Sequence, residues 1–172
     1  MWNLIALGMA IVLTLILVAG VLTFSQGSNQ QGQAARTIAA IDQIVTQADS
    51  IYQGYPSGYA TLSTQGLIND GVIPGSMVQA GSATGAVDVW GGQFAVDPTN
   101  QMTGLPDAFT VWIHNVPMQA CTILLTRMEG GVQGGTGGLS VNGQIPTLPI
   151  NPAELGTLCN SPTHNLIGLA FS

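Results

Sequence analysis

Residues Leu4 to Phe24 form an unbroken apolar run of 21 residues without a charge. About 20 apolar residues suffice for a helix to cross a bilayer, so this stretch is long enough to span one. No other feature restricts the chain as strongly, because such a helix needs lipid or equally apolar protein on every side. The run also has no basic neighbour: the first ionisable side chain is Arg36. A secretory signal has a basic start, a shorter apolar core and a small-residue cleavage site. Here the basic start is missing, the core is too long, and Ala19 and Gly20 mimic a cleavage site only weakly. The run therefore reads as a segment kept in the mature chain. A basic leader already removed would leave the same terminus.

Beyond this run the chain changes character. Ser25 to Gly32 is a polar, glycine-containing joint. From Ala34 a helical period sets in, with Ala34, Ile38, Ile41, Val45, Ala48 and Tyr52 on one stripe, widened by Ile44 and Ile51. Thr37, Asp42, Gln43, Thr46, Gln47 and Asp49 fall on the other faces. That spacing predicts an amphipathic helix over 34–53 with one face on a core, stopped by Gly54 and Pro56. With a helical joint, the element from Trp2 to Gln53 would be about 78 Å long at 1.5 Å per residue. Gly8, Gly20, Gly27 and Gly32 are its weak points, since glycine costs up to ~1 kcal/mol relative to alanine within a helix.

Residues 54–172 read as one head domain with its own core, since roughly 100 residues or more suffice for one. Tyr59 to Val78 gives a short helix or loop. Strand patterns follow at Ala86 to Trp90, Gln93 to Val96 and Phe109 to Asn115, with Gly91-Gly92 as the turn between the first two. Pro117 opens a second amphipathic helix, Met118 to Arg127, and Gly130 to Gly138 is a glycine-rich loop. Leu139 to Ile145 reads as a strand with Asn142-Gly143 as a turn. Asn151-Pro152 starts a turn or short helix, and His164 to Phe171 is the last strand. The predicted class is α+β: a long N-terminal helix on an antiparallel sheet, with a second helix.

Charge is scarce, with 2 Lys+Arg against 8 Asp+Glu. Such a surface suits burial against copies of itself or exposure outside the cell. It offers no cationic footprint for nucleic acid. Cys121 and Cys159 show no CxxC spacing and no Cys/His cluster. An even pair beyond a membrane span reads as one disulfide formed in an oxidising compartment, against the plainer reading of two buried thiols. His114 and His164 lie far apart without ligand-spaced partners, so no metal centre is expected. Asp97 and Asp107 offer oxygen ligands for calcium but read more simply as solvated loop acids. No Gly-x-Ser-x-Gly elbow occurs, and the glycine loop lacks the lysine and helix of a phosphate loop. Neither enzyme activity nor a cofactor is expected. Trp90 and Trp112 read as core or subunit contacts rather than sugar-stacking platforms.

An apolar helix, a polar joint, an amphipathic continuation and a sheet domain with a late cysteine pair resemble a type IV pilin. Three stretches sharpen the likeness toward the type IVb branch that builds thin conjugative or adhesive pili. Trp90-Gly91-Gly92 through Val96 resembles that branch's turn and strand. Phe109 to Asn115, followed by Val116-Pro117 and Ala120-Cys121, resembles its strand and helix start. Gly66 to Met77 is similar to its connecting segment.

The resemblance implies a non-enzymatic subunit that polymerises with identical copies into a helical filament at the bacterial surface. It places the chain in the inner membrane before assembly, and implies a prepilin peptidase and a pilus assembly machinery as partners. Leu4, Ile5, Leu7, Ile11, Leu15, Val18, Leu22 and Phe24 would pack in the filament core, and Gly20 or the Ser25 to Gly32 patch would lose helical hydrogen bonds there. A membrane-anchored minor pilin or adhesin-like binding protein is the alternative. One departure is plain. Such pilins usually carry a glutamate at the fifth mature position, where this chain has Ile5, or Ala6 if counting starts at Trp2. No carboxylate precedes Asp42, so apolar packing would have to set subunit registry.

Overall fold

A computed structural model of the chain describes residues 29–52, 58–80, 85–99, 108–130 and 138–172. The run 4–24 lies outside the described residues, and with it the eight core-packing residues, Gly8 and Gly20. So do Gly27, Gln53 to Ser57, Asp107 and residues 131–137 of the glycine loop.

Helix α1 covers 29–52. Residues 29–33, assigned to the joint on sequence, are thus helical here. Gly32 sits within α1 with open space where a Cβ would lie. The face turned inward is Ala34, Thr37, Ile41, Ile44, Ala48 and Tyr52. Ile38 and Val45 are only half-buried, so the stripe is rotated from the one read off the sequence. Thr37 corrects the pattern most clearly. It is 2% exposed, and its hydroxyl donates to the Gln33 carbonyl one turn back at 3.1 Å. That bond lets a polar side chain occupy an apolar seam.

The chain continues through a 3-10 turn, Gly58–Thr61, and the short helix α2, Thr64–Asn69. Ser63 caps α2, its hydroxyl accepting from the Gly66 N–H at 3.1 Å. A second 3-10 turn spans Gly75–Met77. Strands β1 (Ala86–Val87), β2 (Gln93–Thr99) and β3 (Ala108–Val116) precede helix α3, Met118–Met128. Strand β4 (Leu139–Val141), helix α4 (Pro152–Leu158) and strand β5 (Asn165–Phe171) complete the chain. The sheet is antiparallel throughout, in the order β1-β2-β3-β5-β4. β2 outruns the strand expected from sequence, passing through Asp97 and Pro98 to Thr99. β4 stops at Val141, so Ile145 is not a strand residue and is exposed.

One apolar cluster joins these parts. It takes Ile41, Ile44, Ala48 and Tyr52 from α1, and Phe94, Val96, Phe109, Val111 and Ile113 from β2 and β3. Leu124 and Leu125 of α3 and Ile167 and Leu169 of β5 close it. An aromatic chain ties the lower end of α1 to the sheet. Ring centroids lie 6.3 Å apart for Tyr52–Tyr59, 4.9 Å for Tyr59–Phe109 and 5.8 Å for Phe109–Phe171. The Tyr59 hydroxyl donates to Asp49 Oδ1 at 2.6 Å. Burial and that carboxylate both push the Tyr59 phenol above its ordinary range. Among the described residues no helix is long and apolar enough to cross a membrane.

Candidate functional site

Three local constructions stand out on this scaffold. The first is a clamp beneath α3. Cys121, in the first turn of α3, is disulfide-bonded to Cys159, which ends α4; the Cα atoms are 5.9 Å apart and both residues are fully buried. Beside it Asn165, also fully buried, uses its whole amide. Its Nδ2 donates to the Val116 carbonyl at 2.8 Å and the Ser161 carbonyl at 2.6 Å. Its Oδ1 accepts from the Ser161 N–H at 3.1 Å and from Asn142 Nδ2 at 2.9 Å. Asn142 in turn donates to the Leu158 carbonyl and accepts from the Leu166 N–H. A buried amide so fully satisfied fixes its neighbours, with its hydrogen bonds offsetting the cost of desolvation. The strand before α3, the turn after β4 and the end of α4 are thereby held together. Sequence inspection identified the Asn142-Gly143 turn but not Asn165, whose partners come from segments distant in sequence.

The second is the turn between β1 and β2. Asp88 Oδ1 accepts from the Trp90 and Gly92 N–H groups, both at 2.8 Å. Gly91 has φ +76°, where a side chain would be strained. Gly92 is needed for a different reason: a Cβ there would collide with the His114 carbonyl of β3. The Trp90-Gly91-Gly92 sequence is therefore one residue that lies half-buried over the turn, one that takes the left-handed conformation, and one that lets two strands approach. Asp88 Oδ2 is buried without a hydrogen-bond partner. Burial raises the Asp88 carboxyl from 3.8 to about 6, and the two N–H donors only partly offset it. Trp112 lies over Gly168 of β5, where a side chain would meet its ring. That places it as a packing residue of the sheet.

The third is a cleft between α1 and α3. One hollow of about 320 Å³ is lined by Gln31, Ala35, Thr122, Ile123, Thr126 and Arg127. A second, of about 340 Å³, adds Ile38, Asp42 and Val45 and shares Arg127. The other cation, Arg36, lines a separate hollow with Pro74, Met77, Val87 and Asp88. No cluster of candidate metal ligands occurs among the described residues. His164 Nδ1 contacts the Thr163 hydroxyl at 2.6 Å, and His114 lies on β3.

A stalk helix on an antiparallel sheet, with α3 and α4 joined by one disulfide, is the architecture implied by the resemblance. A family model described as PilS N terminal matches residues 31–169. The chain belongs to the PilS family of type IVb pilins. This pilin is similar to the crystal structure of the type IVb pilin from Salmonella typhi, with a TM-score of 0.55. Identity there is 26%, over 76% of this chain and 95% of that one. The NMR structure of PilS, the type IVb pilin of Salmonella typhi, gives a TM-score of 0.53 and 27% identity, over 80% and 95% of the two chains. TcpA, a type IV pilin from Vibrio cholerae El Tor biotype, shares the fold at a TM-score of 0.52 and 14% identity, over 84% and 99%. No curated protein matches the chain. A pilin is a structural subunit, so this chain is a component of a pilus and not an enzyme.

Proposed function

We propose that this pilin is the repeating subunit of a type IVb pilus and that its apolar segment 1–24 forms the filament core. The carrying observation is the family match over 31–169 in a chain whose residues 4–24 are uncharged and apolar. In this reading the molecule has a core helix (1–24), a joint (25–33), an amphipathic half-helix (34–53) and a head (54–172). Lipid of the inner membrane surrounds 1–24 before assembly, and identical helices surround it afterwards. Both environments satisfy an apolar helix, whose backbone groups are already paired internally. Leu4, Ile5, Leu7, Ile11, Leu15, Val18, Leu22 and Phe24 make the core contacts. Registry follows from their packing, since Ile5 replaces the usual glutamate. A prepilin peptidase and the assembly machinery process and export the subunit, and the fibre serves conjugation or adhesion.

The test is a density map of fibres sheared from cells expressing the chain, with mass spectrometry of the subunit's native N-terminus. A bundle of 1–24 helices on the fibre axis, with helix lost within 25–28, is the expected result. Monomers that stay with the inner membrane, with no fibre made of this chain, would overturn it in favour of an anchored binding protein.

A further inference from the structure

The turn after β4 holds the one Asn-Gly pair in the sequence, Asn142-Gly143. Asparagine is thermolabile, most of all before glycine, whose missing side chain leaves its backbone nitrogen unhindered. The Gly143 nitrogen gives up its proton to hydroxide and attacks Asn142 Cγ. The bond from Cγ to Nδ2 breaks, and Nδ2 takes a proton from water and leaves as ammonia. Water then opens the five-membered imide at either carbonyl, leaving aspartate or isoaspartate at 142. Water and hydroxide are the only co-reactants, and Asn142 is exposed to both.

The fold holds the amide back from this reaction. Asn142 and Gly143 have φ +52° and +79°, and Val141 and Gln144 exchange both backbone hydrogen bonds across them at 2.8 Å. That is the hairpin turn Asn-Gly favours. Asn142 Nδ2 donates to the Leu158 carbonyl at 2.8 Å and to Asn165 Oδ1 at 2.9 Å, with Asn160 Oδ1 at 3.5 Å. Its Oδ1 accepts from the Leu166 N–H at 2.9 Å. Attack needs Cγ to turn onto the Gly143 nitrogen, a rotation that these bonds resist.

The holding groups converge on Cys159. The Leu158 carbonyl belongs to the peptide unit that enters Cys159. Ser161, two residues on, holds Asn165 through its N–H and its carbonyl at 3.1 and 2.6 Å. The disulfide fixes Cys159 to α3, whereas α4, with seven residues, is too short to keep its own end in place. We propose that Asn142 is a self-modification site kept inert by the Cys121–Cys159 disulfide, and that reduction of this bond releases the amide to become aspartate or isoaspartate. The product cannot rebuild the clamp. A carboxylate at 142 has no donor for the Leu158 carbonyl or Asn165 Oδ1 and sets a negative charge beside both oxygens. The modification therefore makes a passing reduction permanent.

The test incubates the full chain in detergent at mildly alkaline pH in three states: oxidised, reduced and alkylated, and unfolded in guanidinium. Peptide mapping that separates asparagine, aspartate and isoaspartate at 142 reads the rate. The oxidised chain should convert at least about tenfold more slowly than the unfolded one, and reduction should remove most of that protection, as the opening of a local unit does. Asn165→Ser keeps the disulfide and removes one of the bonds that hold the amide. It should speed conversion several-fold, which separates release of the clamp from general unfolding of the reduced chain. Asn142→Asp should raise hydrogen exchange in α4 with the disulfide still formed. An oxidised chain that converts as fast as the unfolded one, a reduced chain as protected as the oxidised one, or an Asn165→Ser chain with an unchanged rate would each overturn the proposal. Unchanged exchange in Asn142→Asp would overturn the permanence of the product's effect.

Discussion

Asp88 sits where a carboxylate is hard to ionise. Its Oδ1 is held by two N–H groups, while Oδ2 is buried without a partner. The carboxyl is raised from 3.8 to about 6, so the folded state binds the proton more tightly than the unfolded state does. The associated stability is fully present below pH 3.8 and is lost as pH rises through about 6. This is the reverse of a salt-bridged aspartate. The loss amounts to about 3 kcal/mol at most. Asp88→Asn keeps an oxygen for Trp90 and Gly92 and removes the charge. Denaturant titrations from pH 4 to 7.5 should show the slope in the unmodified chain flattened in the variant, with the variant more stable at pH 7.5. A variant with the same slope would assign it to another carboxylate. The turn glycines were legible in the sequence, because glycine pairs mark turns. Asp88 was not singled out, although an Asp two residues before a Trp-Gly pair is a familiar side-chain turn pattern. Its burial depends on β3, whose approach only the assembled sheet reveals.

At the scale of elements, α3 and α4 depend on each other. α4 has seven residues, too short to persist alone, and Cys159 attaches it to a helix packed on the core. The disulfide closes a loop between residues 38 apart, worth about 4 kcal/mol in the chain-entropy account. Replacing both Cys121 and Cys159 with Ala should lower unfolding stability by up to that amount. Hydrogen exchange should rise first in α4 and the Asn142 turn, since Asn165 and Asn142 rely on the same segment. Uniform exchange across the head would contradict this local order of release. The pairing itself was legible from cysteine number and position. The elements were legible where their period was strong: α3 and β3 ended within a residue or two of expectation. α1 was legible as a helix but not in its rotation. Alternation of Ile and Val at 38, 41, 44, 45 and 51 leaves the inward face ambiguous by a few tens of degrees. Thr37 resolves it by turning its hydroxyl onto its own backbone. β4 was overextended because Gln144 pairs back to Val141 across the turn, ending the strand before Ile145.

At the scale of the whole molecule, the described residues share one continuous core. The core cluster extends from Ala34 to Phe171, and α1 presents exposed Arg36, Asp42, Gln43, Thr46 and Gln47 outward. A helix with one apolar and one polar face is stable as the outer layer of a small domain. The run 4–24 has no charged residue in its sequence, and the proposed filament places it in lipid or in a bundle of its own kind. The two halves therefore answer to different solvents, and cutting between them should separate folding from assembly. A chain beginning at Asn29 should be soluble without detergent, monomeric by sedimentation, and disulfide-bonded with a single cooperative melt. It should add nothing to fibre yield when mixed with the full-length subunit. Aggregation of that fragment would mean that α1 conceals an apolar surface which 1–28 normally covers. Fibres assembled from the fragment alone would place the polymer contacts in the head. In that case contacts between heads, rather than the apolar helices, would hold the filament together.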